Sequence, residues 1–215
     1  MKTISLKDAV AMIPDGATMM IGGFMGVGTP ERLVDELVRQ GRRNLTVIAN
    51  DNALPGIGIG KLISAGAVGK TIASHIGLNP ETQKKMLAGE LQVELVPQGT
   101  LIERIRAGGF GLGGVLTATG VGTVVEEGKQ RIEVDGKPYL LETALRADFA
   151  LVQAFLADYV GNLYYALTAR NFNPVIAMAA DTVIVEADNI VPVGVIAPDQ
   201  VVTPAPVVDY IISHA

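Results

Sequence analysis

The sequence predicts one α/β domain over residues 1–215: an open, mainly parallel sheet flanked by helices, with a β-hairpin insertion. Through the first 120 residues, short apolar runs alternate with amphipathic stretches, which is typical of βαβ units with right-handed crossovers. Further along, Asp135-Gly136 separates strand-like runs at 131–134 and 137–141, as expected for a hairpin with a type I′ turn. With 49% hydrophobic and 18% charged residues, the chain can fill a core of this size.

Apolar runs and capping residues place the elements in order. We expect strands at 18–21, 45–49, 68–73, 93–96, 149–154 and 182–186, and helices opening at Thr29-Pro30, Asn79-Pro80, Thr100 and Asn173-Pro174. The 45–49 run is almost wholly apolar, as in a strand covered on both faces of a parallel sheet. Thr29, Asn79 and Thr100 are predicted to be N-caps, because a side-chain oxygen of threonine or asparagine can accept from the free N–H groups of a first helical turn. Pro30 would then occupy the first helical position.

Two segments lack the apolar patterns of a regular strand or helix. Residues 108–122 are rich in glycine and threonine and are predicted to form a loop. Residues 192–206 are interrupted by prolines, which cannot donate a ladder hydrogen bond, so we expect edge strands there at best. No internal repeat or linker divides the sequence, which supports one domain.

Composition argues against several kinds of partner and site. A net charge of −5 without a Lys/Arg cluster argues against nucleic acid as a partner. The absence of cysteine excludes disulfides and thiolate nucleophiles, and two histidines leave little for a metal site, so none is predicted. No run reaches the ~18–20 apolar residues that cross a bilayer, and the N-terminus lacks the apolar run of a signal peptide. We therefore expect a cytoplasmic protein with no membrane partner.

The sharpest local motif is GGFMGVGTP at residues 22–30, between a predicted strand and a predicted helix. The N–H groups and positive dipole end of a helix N-terminus favour an anion, and glycines let the backbone come close to a ligand. The glycine order differs from G-x-G-x-x-G, and no Gly-Lys-Ser/Thr follows, so neither a dinucleotide fingerprint nor a P-loop is present. A tight strand–helix turn that needs glycine only for its conformation explains the motif equally well.

Amide side chains follow two other predicted strands. Asn50-Asp51-Asn52 ends the second strand, and Pro97-Gln98-Gly99-Thr100 ends the fourth. Open parallel sheets bind ligands beyond the carboxyl ends of their strands. An amide can hold a carboxylate or thioester oxygen without adding charge. Taken singly, Asn50 and Asp51 are more often turn-formers, but three such loops at one edge favour a binding site.

Other polar residues are weaker candidates. Glu126-Glu127 lies at the entrance to the hairpin, where glutamates are ordinarily solvated. Asp51 could act as a base only if burial raised its pKa. His75 could line the same edge, although a strand-end hydrogen bond is its more ordinary role. His214 is expected in a frayed C-terminus.

Five segments together resemble the alpha subunit of the 3-oxoacid CoA-transferases, a family that includes acetate, butyrate and acetoacetate CoA-transferases. They occur in matching order over nearly the whole chain. The segments are GGFMGVGTP at 22–30, LTVIANDN at 45–52, VELVPQGTLIERIRAGGFGLG at 93–113, TATGVGTVVEEG at 117–128 and ARNFNP at 169–174.

The resemblance implies a ping-pong transfer of CoA between an acyl-CoA and a short-chain carboxylic or 3-oxo acid. In that family a glutamate of the beta subunit, in a Ser-Glu-Asn-Gly type of segment, becomes a glutamyl-CoA thioester, which splits one difficult exchange into two easier steps. No glutamate of this chain is preceded by Ser and followed by Asn-Gly. We therefore expect no catalytic nucleophile here and a beta subunit as partner, in an αβ or α₂β₂ assembly.

The resemblance also implies roles for particular residues, with CoA as a substrate and no permanently bound cofactor. Asn50 and Gln98 would position the acyl or carboxylate group, and the 108–114 loop would face the cleft. The fold would be one shared with ribose-phosphate isomerases. The residues expected to contact CoA are Gly22, Gly23, Phe24, Met25, Gly26, Val27 and Gly28.

Two alternative functions stay open at this point. The chain could be a non-catalytic scaffolding subunit whose loops only shape the partner's site. It could also be a sugar-phosphate isomerase of related fold. An isomerase should carry its own acid/base carboxylate and a lysine that holds the phosphate, and Lys61 and Lys70 are poor candidates for that lysine.

Overall fold

The structure is a computed structural model and describes residues 2–212, so His214 lies outside the described residues. Its first half contains strands β1–β5 and helices α1–α5: β1 Lys2–Ile4, α1 Leu6–Ala11, β2 Thr18–Ile21, α2 Glu31–Arg39, β3 Leu45–Asp51, α3 Ile59–Ser64, β4 Val68–His75, α4 Pro80–Leu87, β5 Gln92–Leu95 and α5 Gln98–Gly109. Its second half contains β6 Gly114–Thr117, β7 Arg131–Val134, β8 Lys137–Thr143, β9 Ala147–Asp158, β10 Leu163–Tyr164, α6 Asn173–Ile176, β11 Ala180–Val191 and β12 Tyr210–Ile212.

The main sheet has the predicted open, mainly parallel architecture. Its strand order is β1-β12-β11-β9-β2-β3-β4-β5, and every neighbouring pair along this path is parallel. Strand β10 pairs with β9 in the antiparallel sense. From the centre of the sheet, β2 to β5 follow in chain order toward one edge, and β9, β11 and β12 follow in chain order toward the other. The strand order therefore reverses where β2 and β9 meet. Ligands of open α/β sheets bind at such a switch point, beyond the carboxyl ends of the strands.

Helices cover both faces of this sheet and create two apolar cores. Met19 and Met20 are fully buried but belong to different cores, since neighbouring side chains of a strand point to opposite faces. Residues of α1, α2 and α3 pack into one core, and residues of α5 and α6 pack into the other. This two-sided burial explains why the 45–49 run is almost wholly apolar.

The hairpin belongs to a separate three-stranded antiparallel sheet of order β6-β8-β7. Its turn is confirmed as type I′, because Asp135 and Gly136 have φ angles of 50° and 71°. The prediction that 108–122 forms only a loop is wrong, because β6 lies within it and pairs with β8. That pairing joins residues far apart in sequence, which a local pattern does not reveal.

Two of the predicted helix caps are wrong and one is confirmed. The carboxylate of Glu186 accepts from Arg32 N at 3.2 Å and from Leu33 N at 3.0 Å, so it caps α2 in place of Thr29. The hydroxyl of Thr29 instead donates to the carbonyl oxygen of Gly22 at 3.1 Å. Asn79 caps α4 as predicted, accepting from the backbone N–H of its first turn at 3.0 Å.

Other boundaries differ in smaller ways. Helix α5 begins at Gln98, so Thr100 lies buried inside its first turn and caps nothing. Residues 192–206 hold no strand, only short 3₁₀ turns and an isolated bridge from Thr203 to Leu163. The short elements β1, α1, α3, β10 and β12 were not predicted. No helix among residues 2–212 has the length and apolar character needed to span a bilayer.

Candidate active site

The glycine motif after β2 folds into a two-residue hairpin, here called the glycine turn (residues 22–28). Phe24 and Val27 exchange two backbone hydrogen bonds of 2.9 Å each. Between them, Met25 and Gly26 have φ angles of 50° and 87°, as a type I′ turn requires. The side chains of Phe24, Met25 and Val27 are 38%, 38% and 52% exposed. The turn therefore presents apolar side chains outward at the switch point.

Packing explains two of the glycines in this turn. A Cβ on Gly22 would lie 1.8 Å from the Oδ1 atom of Asn173, and one on Gly28 would lie 2.7 Å from the Cα atom of Ala169. The buried Asn173 side chain holds this contact by donating to the carbonyl oxygens of Gly28 and Ala169, at 2.9 Å each. It also accepts from Gln153 N of β9 at 3.0 Å. Conformation and close packing therefore account for the glycines without a ligand.

The anion site expected at the start of α2 is taken by the protein itself. The Glu186 carboxylate on β11 already accepts from Arg32 N and Leu33 N. Burial raises the pKa of Glu186 above its usual range, and these two N–H groups act in the opposite direction. The prediction that these groups are free to bind a substrate anion is wrong.

The carboxylate of Asp51 joins the glycine turn to the end of β3. Asp51 is 5% exposed, and its two oxygens accept from Met25 N at 3.2 and 3.1 Å. It also accepts from Ala53 N and from Asn50 Nδ2, both at 2.7 Å. These donors leave Asp51 as a fixed acceptor within the framework of the site.

The two predicted substrate-positioning amides contact each other. Gln98 Nε2 donates to Asn50 Oδ1, while Asn50 Nδ2 faces Asp51. A carboxylate can only accept, so Asp51 fixes which way the Asn50 amide points, and Asn50 in turn fixes Gln98. Asn50 is 1% exposed, whereas Gln98 is exposed on the surface. Only Gln98 of this pair can therefore touch a ligand, and Asn50 acts behind it.

Gln98 opens into a cavity of about 450 Å³ at the switch point of the sheet. The wall is formed by the glycine turn, the start of α5 and the segment that precedes α6. The described residues that line it are Phe24, Gln98, Thr168, Arg170 and Asn171. This volume lies within the roughly 300–1,000 Å³ of ligand pockets.

Comparison with known proteins identifies the family. The sequence model of the coenzyme A transferase family matches residues 3–214 of this chain. The chain belongs to the coenzyme A transferase family. It is 60% identical over 211 residues to the acetate CoA-transferase subunit alpha of Escherichia coli (strain K12), covering 98% of this chain and 96% of that one. It is 52% identical over 213 residues to the acetoacetyl-CoA:acetate/butyrate CoA transferase alpha subunit of Clostridium acetobutylicum, covering 99% and 98%.

Solved structures of other proteins have the same fold as this CoA-transferase chain. The decarboxylase AibA/AibB is 29% identical with a TM-score of 0.82, and the match covers 98% of this chain and 82% of that one. An acyl-CoA transferase of Escherichia coli O157:H7, YdiF, is 24% identical with a TM-score of 0.87. The match covers 98% of this chain but 46% of that one. The prediction of a CoA-transferase alpha-subunit fold is confirmed.

Several other predicted residues of this transferase chain lie away from the cavity. No described lining residue comes from 108–114, where Phe110 is 62% exposed. Glu126 accepts from Gly122 N at 2.6 Å and pairs with Arg131 at 3.4 Å, which is a structural role. The His75 ring is exposed and forms no hydrogen bond within residues 2–212, so the strand-end bond expected for it is wrong.

Four residues that matter to this site were not singled out from the sequence. Arg170, Thr168 and Asn171 line the cavity, and Asn173 anchors the glycine turn. All but Thr168 belong to the ARNFNP segment at 169–174, which suggested only a helix start at Asn173-Pro174 and the family resemblance. No local spacing rule marks them, because their roles depend on how residues after β9 and β10 meet the turn after β2.

Proposed function

We propose that this chain is the alpha subunit of a two-chain enzyme that moves CoA from an acyl-CoA to a short-chain carboxylic or 3-oxo acid. The observation that carries the proposal is the chain of contacts from Asp51 through Asn50 to Gln98, which fixes an amide at the mouth of the cavity. The names of the two bacterial relatives support the acids proposed. CoA serves as a substrate, and no permanently bound cofactor is proposed.

The attacking carboxylate is proposed to come from a beta subunit. Among the described residues that line the cavity there is no aspartate or glutamate. A partner glutamate would attack the thioester carbonyl carbon and expel the CoA thiolate, giving a mixed anhydride. The thiolate would then attack the glutamyl carbonyl and release the first acid, leaving a glutamyl-CoA thioester. A second acid would attack this thioester, and the same two steps would transfer CoA to that acid. We propose an αβ or α₂β₂ assembly, and the cytoplasmic location stays a prediction.

In this mechanism the alpha chain supplies positioned donors. The Gln98 amide is held by Asn50 and keeps one N–H for the oxygen on which negative charge develops. Residues 22–28 remain the proposed CoA contacts. The exposed side chains of Phe24, Met25 and Val27 would provide apolar contact for the pantetheine arm.

The first test is the Gln98→Ala variant of the assembled enzyme. We expect assembly to survive and kcat/KM to fall by about one to two orders of magnitude. That loss corresponds to the ~1.5–3 kcal/mol of one hydrogen bond to a charged group. Steady-state kinetics with an acyl-CoA and a short-chain acid measure it.

Gln200→Ala is a matched control, because Gln200 is an exposed glutamine in a short turn, Pro198–Gln200, outside the cavity lining. Its kinetics should equal those of the wild type. If the assembled Gln98→Ala enzyme also keeps wild-type kinetics, the scaffolding alternative is the better account of this chain.

A second test locates the covalent intermediate. Borohydride reduces a glutamyl-CoA thioester to an alcohol, so treating the acyl-CoA-loaded complex should leave a mass change on one glutamate. We expect peptide mapping to find it on the beta subunit, and only when acyl-CoA was added. A modified Glu126, Glu127 or other residue of this chain would contradict the proposed division of labour.

Neither lysine considered for the isomerase alternative is placed to hold a phosphate in the cavity. Lys61 pairs with Asp35 at 2.6 Å, and Lys70 pairs with Glu94 at 2.9 Å. Neither lysine is among the residues that line the cavity. The function that fits the site therefore remains CoA transfer.

A further inference from the structure

Arg170 has a special place in the cavity wall. It is the only charged side chain among the described residues that line the cavity. The others are an aromatic ring, two amides and a hydroxyl group: Phe24, Gln98, Asn171 and Thr168. The charge of any anionic group that enters this cavity is therefore met, within this chain, by one guanidinium.

Two contacts hold that guanidinium in place. Its Nε atom donates to the carbonyl oxygen of Tyr165 at 3.1 Å. Its Cζ atom lies 5.3 Å from the ring centroid of Tyr164, a distance at which a cation is attracted to an aromatic face. Tyr165 is itself fully buried, and its hydroxyl group is 2.7 Å from that of Thr203. Arg170 is therefore held in position from the core of the domain.

The outer edge of Arg170 is free of protein partners. Within residues 2–212, its Nη nitrogens form no hydrogen bond and no ion pair. Many other arginines of the chain are paired with a carboxylate, namely Arg39, Arg104, Arg106, Arg131 and Arg146. An oriented guanidinium with two free Nη nitrogens suits a planar carboxylate or a phosphate, which it can bind through two parallel hydrogen bonds.

We propose that Arg170 is the anion-binding residue of this cavity and takes an anionic oxygen group of a substrate. The group is either the carboxylate of the acid or a phosphate of the acyl-CoA, and this choice of substrates rests on the proposed function. Gln98 stands in the same cavity as a neutral donor, and the Phe24 ring gives apolar surface for an alkyl or pantetheine chain. Arg170 thus acts in binding, separately from the glutamate that forms the thioester.

The test uses the assembled enzyme with Arg170→Ala and Arg170→Lys, and Arg43→Ala as the control. Arg43 is exposed just before β3, at the opposite edge of the sheet. We expect Arg170→Ala to raise the KM of one substrate about tenfold or more, the size expected for losing a charge-assisted hydrogen bond. Arg170→Lys keeps the charge but loses the paired donors, so its KM should fall between those of Arg170→Ala and the wild type. Arg43→Ala should leave every KM unchanged.

Three substrates separate the two sources of the anion: the free acid, the acyl-CoA, and an acyl-N-acetylcysteamine thioester that carries no phosphate. A raised KM for the acid assigns Arg170 to the carboxylate. A raised KM for the acyl-CoA, with no change for the phosphate-free thioester, assigns it to a phosphate. The inference would be overturned if Arg170→Ala and the wild type had equal KM values for each of the three substrates. It would also be overturned if the KM rose for both thioesters but not for the acid.

Equilibrium binding of CoA and of butyrate to the same complexes reads this site without turnover. If the wild-type complex transfers no CoA, the proposed function fails. Weaker binding of either ligand to Arg170→Ala would still support the anion site in that event. Equal binding of both ligands to the wild type and Arg170→Ala would overturn the anion site, whatever the activity.

Discussion

The Asp51→Asn variant is expected to assemble but to lose about 100-fold or more in kcat/KM. Asn50 Nδ2, Met25 N and Ala53 N all donate to this carboxylate. An asparagine at position 51 offers one acceptor oxygen and places an NH₂ group against these donors. The Asn50 side-chain amide is therefore expected to flip, so that its oxygen and nitrogen exchange places. Gln98 then loses its fixed orientation, and the glycine turn loses an anchor. Two lost hydrogen bonds to a charged group, at about 1.5–3 kcal/mol each, give this magnitude.

Steady-state kinetics of the assembled complex measure this effect, with Asp199→Asn as the matched control. Asp199 is exposed in the short turn Pro198–Gln200 and lies outside the cavity lining. The same change of charge there should leave kcat/KM within about twofold of the wild type, as is usual for surface substitutions. An Asp51→Asn enzyme that keeps kcat/KM within threefold would show that the amides are oriented by something else.

The parts of the fold that the sequence predicted depend on local signals. The 45–49 run is apolar because both faces of β3 are covered, and the almost unbroken series of apolar residues reflects that burial directly. Asn79 caps α4 through its own first turn, and Asp135-Gly136 supplies the positive φ angles of its own hairpin. In each case the residues that determine the structure are neighbours in the chain.

The parts that failed depend on contacts between distant residues. Thr29 is a good N-cap by composition, but Glu186, 153 residues beyond Leu33, reaches the same N–H groups. Strand β6 exists because β8 pairs with it, and its own sequence of 114–117 looks like part of a loop. Local propensity is a weak prior that tertiary contacts override.

The candidate site was predicted in outline, and the roles within it came from the structure. Asn50 lies near the end of β3 and Gln98 follows β5 at the same edge of the sheet, but only burial separates the accessible amide from the one behind it. The glycines of 22–28 suggested a cradle for an anion, whereas Gly22 and Gly28 are required by packing against Asn173 and Ala169, and Gly26 by the positive φ angle of the turn. Arg170 lies in a segment with no strand or helix period, so only the folded chain brings it to the cavity.

The Gly22→Ala variant is expected to lose about 3–5 kcal/mol of unfolding free energy, measured by urea denaturation. The added Cβ would lie 1.8 Å from Asn173 Oδ1, so the Asn173 side chain must rotate away. Rotation breaks its hydrogen bonds to Gly28, Ala169 and Gln153, and buried groups left without partners are costly. Gly22 has no positive φ angle, so the effect comes from the clash alone.

Two further variants separate the clash from a general effect of alanine. Gly99→Ala adds a Cβ into open space in the first turn of α5, where it should raise stability by about 0.5–1 kcal/mol. Asn173→Ala removes the side chain that the new methyl group meets. If the clash is the cause, the double variant Gly22→Ala with Asn173→Ala will lose much less unfolding free energy than the sum of the two single losses. The reason is that the effects of substitutions at contacting residues are not additive. Additive losses would contradict this account and would place the need for glycine in the backbone at position 22 itself.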